Sequence, residues 1–240
     1  MKLCLAQTKP FPGNIEQNIN RHLMFVEEAR RLRADMVIFP ELSLTGYEPA
    51  LAGELSLSPD DHRLSVFQQI SDADNIIIGI GAPVNAPDGI NIGLLLFQPH
   101  QKVERYAKQY LHADEEPFFA SGKNTIGLLP GKIAPAICYE LSIPAHAENA
   151  FQQGARFYLA SVAKSAAGIN EAAERLSQIA QDYAMTVLLV NCTGLNDDVL
   201  CVGQSAIWNS GGNLLAQLDD SREGLLMLET ESGTTTIHYC

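Results

Sequence analysis

A chain of 240 residues, 46% hydrophobic and 18% charged, can bury most of its surface around a large core, and its length allows one domain or two. A net charge of −12, with 16 basic residues and no basic run, argues against a nucleic-acid partner, because phosphate binding requires clustered cations. The five cysteines (Cys4, Cys138, Cys192, Cys201, Cys240) are odd in number, scattered and without a CxxC pair, which suits a reducing, cytoplasmic compartment and argues against structural zinc.

No apolar run approaches the ~18 residues of a membrane-spanning helix, and Met1–Gln7 lacks the apolar length of a secretory signal. The sequon Asn191-Cys192-Thr193 therefore carries no weight. Leu3–Gln7 is an apolar run of strand length. Asn14 can cap a helix to about Leu32, since Ile15, Ile19, Leu23, Val26 and Ala29 recur at helical spacing. Met36–Phe39 is a second strand, a polar helical segment starts near Pro59, and Ile76–Ile80 is a third strand. Gly93–Phe97 and Val103–Tyr106 are strands joined by the turn Pro99-His100-Gln101.

Ile126–Leu129 and Ile133–Ile137 are strands separated by Pro130-Gly131, and a helix begins near Pro144. Arg156–Ala160 is a strand, Asn170–Ala184 a helix and Val187–Val190 a buried strand. Ser205–Trp208, Leu214–Leu218 and Leu225–Glu229 complete the strands. Strands alternating with helices, and then closing strand pairs, indicate an α/β or layered α+β fold. Without repeats, low complexity or linkers, residues 1–240 are expected to form one domain. Many strands are apolar on both faces, which requires sheets covered on both sides.

Cys138 ends the run Gly131–Ile137 and precedes Tyr139-Glu140-Leu141, the strand-to-helix position where loops of α/β proteins build sites. Such a turn presents backbone N–H groups to an oxyanion. Read locally, Cys138 is either a nucleophile or a small core residue; the other four cysteines read as apolar filler. Glu41 leaves the buried strand Met36–Phe39 just after Pro40, either as a solvated loop acid or as a site carboxylate. Lys108 lies past the strand Val103–Tyr106, where a lone Lys is ordinarily a surface charge.

The run His112-Ala113-Asp114-Glu115-Glu116 packs four ionisable groups into five residues, but it lacks the glycine-bearing loop that turns such a run onto calcium. Ser121–Thr125 lacks the upstream Gly of a phosphate loop, and Ile78–Pro83 lacks the third Gly of a dinucleotide site. Among the histidines, His112 and His146 are the possible papain-like partners of Cys138, without an evident orienting Asn. An isochorismatase-like cysteine hydrolase would need an Asp after the first strand, where Gln7-Thr8-Lys9-Pro10 stands.

Taken together, Phe39-Pro40-Glu41-Leu42-Ser43-Leu44-Thr45-Gly46-Tyr47, Tyr106-Ala107-Lys108 with Leu111-His112, and Ile137-Cys138-Tyr139-Glu140 resemble the nitrilase superfamily of carbon–nitrogen hydrolases. Gly203–Ile207 and Gly211–Ala216 extend the likeness over nearly the whole chain. The resemblance implies a four-layer α-β-β-α sandwich and a Glu-Lys-Cys set. In it Glu41 is the general base, Lys108 the oxyanion-stabilising cation and Cys138 the nucleophile, with the Tyr139 backbone N–H as second oxyanion donor. The family's second Glu follows the Lys by about eight residues, which points to Glu116, with Glu115 in reserve.

In this chemistry a thiolate beside Lys⁺ is both favoured and reactive. Glu41 shuttles its proton, and no metal or organic cofactor is required. The implied substrate is a small linear amide or carbamoyl compound, cleaved through a thioester with release of ammonia or an amine. A nitrile substrate, or a non-catalytic binding module on the same fold, is the alternative. The resemblance also implies a homodimer or higher homo-oligomer. The chain departs from the family where Ser161-Val162-Ala163-Lys164-Ser165 replaces the common Asn-Trp-Pro stretch, so the substrate is the open point.

Overall fold

A computed structural model describes residues 1–123, 127–197 and 199–240. In chain order the elements are β1 (Lys2–Gln7), α1 (Ile15–Arg31), β2 (Met36–Ile38), α2 (Ala52–Leu55), α3 (Ser65–Asp74), β3 (Ile77–Ala86), β4 (Gly89–Phe97) and β5 (Glu104–Ala107). They continue with β6 (Ile133–Ile137), α4 (Pro144–Gln152), β7 (Phe157–Val162), α5 (Ala166–Tyr183), β8 (Thr186–Asn191), β9 (Thr193–Asn196) and β10 (Val199–Val202). The last are β11 (Ala206–Trp208), β12 (Leu214–Gln217), β13 (Gly224–Glu229) and β14 (Thr235–Tyr239).

One seven-stranded sheet has the order β14-β13-β1-β2-β3-β4-β5, and a five-stranded sheet has the order β12-β11-β8-β7-β6. The first has a parallel centre, β1-β2-β3, with antiparallel strands on both sides, and the second a parallel half, β6-β7-β8, with β6 at the edge and antiparallel β11 and β12 beyond β8. Side-chain alternation divides the first sheet between two cores. Leu3, Leu5, Met36, Ile38, Leu94 and Leu96 pack into the core shared with the second sheet. Cys4, Ala6, Val37, Ile78, Ile80 and Leu95 pack with the apolar faces of α1 and α3. On the far side of the second sheet, Ala147 and Ala150 of α4 join Ile169, Leu176 and Ile179 of α5 in the shared core. The layers are therefore α-β-β-α, as the resemblance implies.

Asn14 caps α1 by accepting from the Gln17 N–H at 3.1 Å. Several boundaries differ from the sequence expectation. β3 continues to Ala86 through Pro83, although proline cannot donate to a ladder. Pro83 pairs with Ile92, and its carbonyl accepts from Leu57 N–H on the opposite side, beyond the end of β2. Its missing N–H therefore costs no ladder bond. α5 starts at Ala166 rather than Asn170, because Ser165 already adopts the extended backbone of a cap. The β9–β10 hairpin and β14 were not expected; their four- and five-residue strands alternate weakly and expose Leu195, Leu200 and Ile237. Ile126 of the expected strand Ile126–Leu129 lies outside the described residues, as do Asn124 and Thr125 of the Ser121–Thr125 loop. Leu129 makes an isolated bridge to Ile133. Among the described residues, no helix is long and apolar enough to cross a membrane.

Candidate active site

The loops leaving β2, β5 and β6 bring Glu41, Lys108 and Cys138 together. After β2 the chain stays in register with β3, Phe39 N–H bonding to Gly79 O at 2.9 Å and Leu44 N–H to Gly81 O at 3.0 Å. Between them Leu42 takes a positive φ of 50°, and the tight loop turns Glu41 into the interior. Gly81 makes room for it: a Cβ there would stand 2.2 Å from Pro40 O and 2.6 Å from Leu42 N.

Lys108 leaves β5 with its N–H on Ile92 O at 2.9 Å and its carbonyl on Gly122 N–H at 2.7 Å. Its side chain is wholly buried, which a surface lysine would not be. The Nζ donates to Glu41 Oε1 at 2.8 Å and to Glu115 Oε1 at 2.6 Å. Glu115 is also held by Tyr47 Oη at 3.1 Å and by the His112 N–H at 2.8 Å. Glu116, the expected partner, points to solvent. The His112–Glu115 turn closes on itself through Glu115 N–H to His112 O at 2.9 Å, so it aims Glu115 inward one residue earlier than the spacing suggested.

Cys138 follows β6 in the left-handed region, at φ 44°, at the head of a 3-10 turn over Cys138–Ser142. A non-glycine residue there is strained, and the geometry turns the thiol out of the strand direction. Tyr139 follows in the turn, half-buried and lining the same cavity as Cys138. Glu140, which sequence reading left without a role, is fully buried. Its Oε2 accepts from Ile137 N–H at 2.7 Å and from Tyr106 Oη at 2.8 Å, and its Oε1 from Gln109 N–H at 2.6 Å. It thus joins the backbone just before Cys138 to the backbone just after Lys108.

Burial raises the pKa of Glu41 and the Lys108 charge is the chief influence opposing it, while Glu41 Oε2 has no hydrogen-bond partner among the described residues. Burial also works against the charge on Lys108, but the Glu41 and Glu115 carboxylates outweigh it and keep the ammonium charged. The Cys138 thiol is pushed up to about 12 by burial and by Glu41, against the pull of Lys164 and Lys108. This corrects the expectation of a favoured thiolate: with two carboxylates around one buried lysine, a third anion is disfavoured. Burial and the Glu41 carboxylate thus favour the neutral form of the Cys138 thiol.

The cavity in front of Cys138 has a volume of about 280 Å³; Tyr47, Tyr139, Lys164 and Cys201 help line it. Cys201, read from sequence as filler, is buried yet lines this cavity, and the buried Cys192 thiol accepts from Asn196 Nδ2 at 3.6 Å. His112 lies at the cavity but is paired with Asp114. His146 is buried behind Glu140, its nitrogens 2.9 Å from Tyr106 Oη and Tyr158 Oη, and burial lowers it to about 4. Neither histidine partners Cys138, so the papain-like arrangement is absent. Gln7 spends its amide on Asp219 O, Arg222 O and Ser205 N–H, a purely structural use. Among the described residues, no group of three His, Cys, Asp or Glu side chains could hold a metal.

Fold and site together define a class: a four-layer sandwich hydrolase with Glu, Lys and Cys at its strand ends. The carbon-nitrogen hydrolase model matches residues 2–237, and the chain belongs to that family, the nitrilase superfamily of hydrolases. An amidase from Nesterenkonia sp. AN1 superposes with a TM-score of 0.86 over 95% of this chain and 92% of its own, at 22% identity. A 2-oxoglutaramate amidase of Bacillus subtilis is 25% identical over 225 residues, 91% of this chain and 86% of the relative. A glutamine-dependent NAD(+) synthetase of Acinetobacter baylyi is 26% identical over 251 residues, 95% of this chain but 44% of the synthetase.

Proposed function

We propose that the chain hydrolyses a small linear amide or carbamoyl compound through a thioester on Cys138. The observation that carries this is the buried Glu41–Lys108–Glu115 cluster beside a nucleophile in a strained turn. Because the thiol rests neutral, its proton moves to Glu41 Oε2 as sulfur attacks the carbonyl carbon. Lys108 and the Tyr139 N–H stabilise the oxyanion. Glu41 then gives that proton to the departing nitrogen, leaving ammonia or an amine and the thioester. Water attacks the thioester next, its proton passing to Glu41 and on to the leaving thiolate as the acid is released. Glu115 does not meet the substrate in this scheme. It shares Lys108 with Glu41 and holds the ammonium in place.

The names of two relatives, the amidase above and an ω-amidase of Yersinia enterocolitica (26% identical over 165 residues), support amide over nitrile chemistry. Residues 1–240 are read as one catalytic domain, acting in the cytoplasm. A homodimer is part of the same reading, carried over from the family resemblance. The deciding experiment is a hydrolysis screen of small amides, carbamoyl compounds and nitriles with Cys138→Ala as control. Ammonia release from amides, absent in the variant and accompanied by an acyl adduct on Cys138 in the wild type, is expected. An adduct on Cys192 or Cys201 would sink the assignment.

A further inference from the structure

The inward face of α4 is made of Ala147, Ala150 and His146. The alanines only fill space. His146 is as fully buried as they are, yet it takes no part in the proton transfers at Cys138. A polar ring in a core is tolerated where both of its nitrogens are paired. Here Nε2 lies 2.9 Å from Tyr106 Oη, and Nδ1 lies 2.9 Å from Tyr158 Oη. Tyr106 stands on β5 of the first sheet and Tyr158 on β7 of the second, both buried. The imidazole therefore bridges the two sheets directly behind Glu140.

Donor and acceptor counts decide which way the hydrogens of this network point. Glu140 Oε1 receives the Gln109 N–H at 2.6 Å, while Oε2 receives the Ile137 N–H at 2.7 Å and faces Tyr106 Oη at 2.8 Å. Burial raises Glu140 to about 7, so above that pH it is a carboxylate, which only accepts. Tyr106 must then spend its one hydrogen on Glu140, and its oxygen is left to accept from His146. That places the imidazole hydrogen on Nε2. Burial lowers His146 to about 4, so the ring is neutral and Nδ1 is a bare acceptor, which the Tyr158 hydroxyl fills. The chain runs one way, from Tyr158 through His146 and Tyr106 to Glu140. The reverse direction would put the hydrogen on Nδ1, turn the Tyr106 hydrogen toward His146 and demand a protonated Glu140.

We propose that His146, as its neutral Nε2–H tautomer, is a positioning residue: it orients the Tyr106 hydroxyl onto Glu140 and so holds Glu140 as the charged clasp between the Cys138 turn and the Lys108 loop. Its effect on turnover rests on the amidase reading of Cys138. Without the Nε2 donor, the Tyr106 oxygen keeps only Gln109 Nε2, at a long 3.5 Å. The hydroxyl is then free to turn away from Oε2, and the carboxylate loses one of the donors that fix it. Tyr158, His146, Tyr106 and Glu140 all lie outside the lining of the cavity in front of Cys138. Disturbing the chain therefore moves the reacting groups apart and leaves the substrate-binding wall alone, which shows in kcat more than in KM.

The test compares His146→Gln, His146→Asn and His146→Leu with the wild type at pH 8. A Gln amide can set an N–H where Nε2 stood, an Asn amide reaches only the Nδ1 position, and Leu donates nothing. Leu and Asn are expected to lower kcat at least ~10-fold with KM changed less than about three-fold, and Gln to recover most of the loss. A Gln variant no better than Leu and Asn, or normal kcat in all three, overturns the proposal. Should His146→Leu not fold, the contrast between Gln and Asn carries the comparison. Long-range ¹H–¹⁵N correlation of the histidine-labelled wild type reads the tautomer directly, with the His146 signals assigned by their loss in His146→Gln. A hydrogen on Nε2 and a bare Nδ1 are expected; a hydrogen on Nδ1 overturns the proposal. If the wild type hydrolyses no amide, the amidase reading alone fails, and the Ile137 and Gln109 amide proton resonances take the place of kcat. Resonances shifted in His146→Leu or His146→Asn and returned by His146→Gln support the positioning role, and unmoved resonances refute it.

Discussion

Lys108 Nζ lies 2.6 Å from Glu115 Oε1, in a site from which water is excluded around both side chains. Removing a charge from a buried pair is costly because the remaining ion keeps its desolvation penalty. Glu115→Gln should therefore loosen Lys108, the proposed oxyanion donor, and lower kcat by ~10²–10³-fold, the usual loss for one such donor. Glu116→Gln, on an exposed side chain, should leave kcat within about two-fold of wild type. Steady-state kinetics of the two variants on one amide decides the matter. Equal losses would mean that the turn rearranges on substrate binding.

Gly81 lets the Glu41 loop pass close to β3. In Gly81→Ala the new methyl would meet backbone on both sides of Glu41, and backbone cannot swing aside as a side-chain tip can. Expected are a lower melting temperature and a loss of at least ~10-fold in kcat, because small displacements of a positioned base are expensive. Gly53→Ala, in α2 with open space around it, is the matched control and should leave both unchanged or raise the melting temperature slightly. A Gly81→Ala enzyme with normal kcat would show that Glu41 does not depend on this loop.

The pH profile should be one-sided. In the proposed mechanism Glu41 must be ionised to accept the thiol proton, and its pKa is raised by burial, with Lys108 opposing. Activity therefore falls as pH drops through a value above the ordinary carboxylate range. At the alkaline end burial and Glu41 hold the thiol well above its ordinary range and Lys108 lies above its ordinary value, so neither removes a needed form at mild pH. The measurement is kcat/KM against pH, which reports the free enzyme. A basic limb below about pH 9 would contradict a neutral resting thiol and a permanently charged lysine.

Much of this molecule was legible in its residues, for identifiable reasons. Leu3–Gln7, Met36–Phe39 and Ile133–Ile137 declared themselves because buried parallel strands are short apolar runs, and Ile15–Ala29 because a helix on a sheet keeps a 3.6-residue stripe. Glu41, Lys108 and Cys138 were individually ambiguous, since a carboxylate, a lysine and a free thiol each have a commoner bland use. Only their shared position past strand ends, and the family resemblance, linked them. Illegible were features set by tertiary contact. Whether Glu115 or Glu116 turns inward depends on one hydrogen-bonded turn, and counting residues misplaces it by one. Pro83 reads as a strand breaker until its N atom is seen to face the gap beyond β2. The state of the thiol depends on how many carboxylates surround it, which no local pattern reports.

Glu140 joins the Cys138 turn to the Lys108 loop without facing the cavity. Burial raises it to about 7, while the N–H groups of Gln109 and Ile137 and the Tyr106 hydroxyl pull the other way. Both of its oxygens accept from backbone N–H groups, one on each side. A glutamine has one accepting oxygen, so Glu140→Gln must turn its NH₂ toward one of those N–H groups and leave a buried donor unpaired. That costs about 1–3 kcal/mol, seen as a lower melting temperature. If the lost bond is the one to Gln109, the loop carrying Lys108 shifts. If it is the one to Ile137, the Cys138 turn does. Either way the reacting groups separate while the cavity wall that binds substrate is spared, so kcat should fall at least ~10-fold with KM changed much less. Glu148→Gln, on the exposed face of α4, controls for charge and should leave kcat at the wild-type level. A folded Glu140→Gln with normal kcat would show that the Cys138 turn and the Lys108 loop hold their relative positions without this carboxylate.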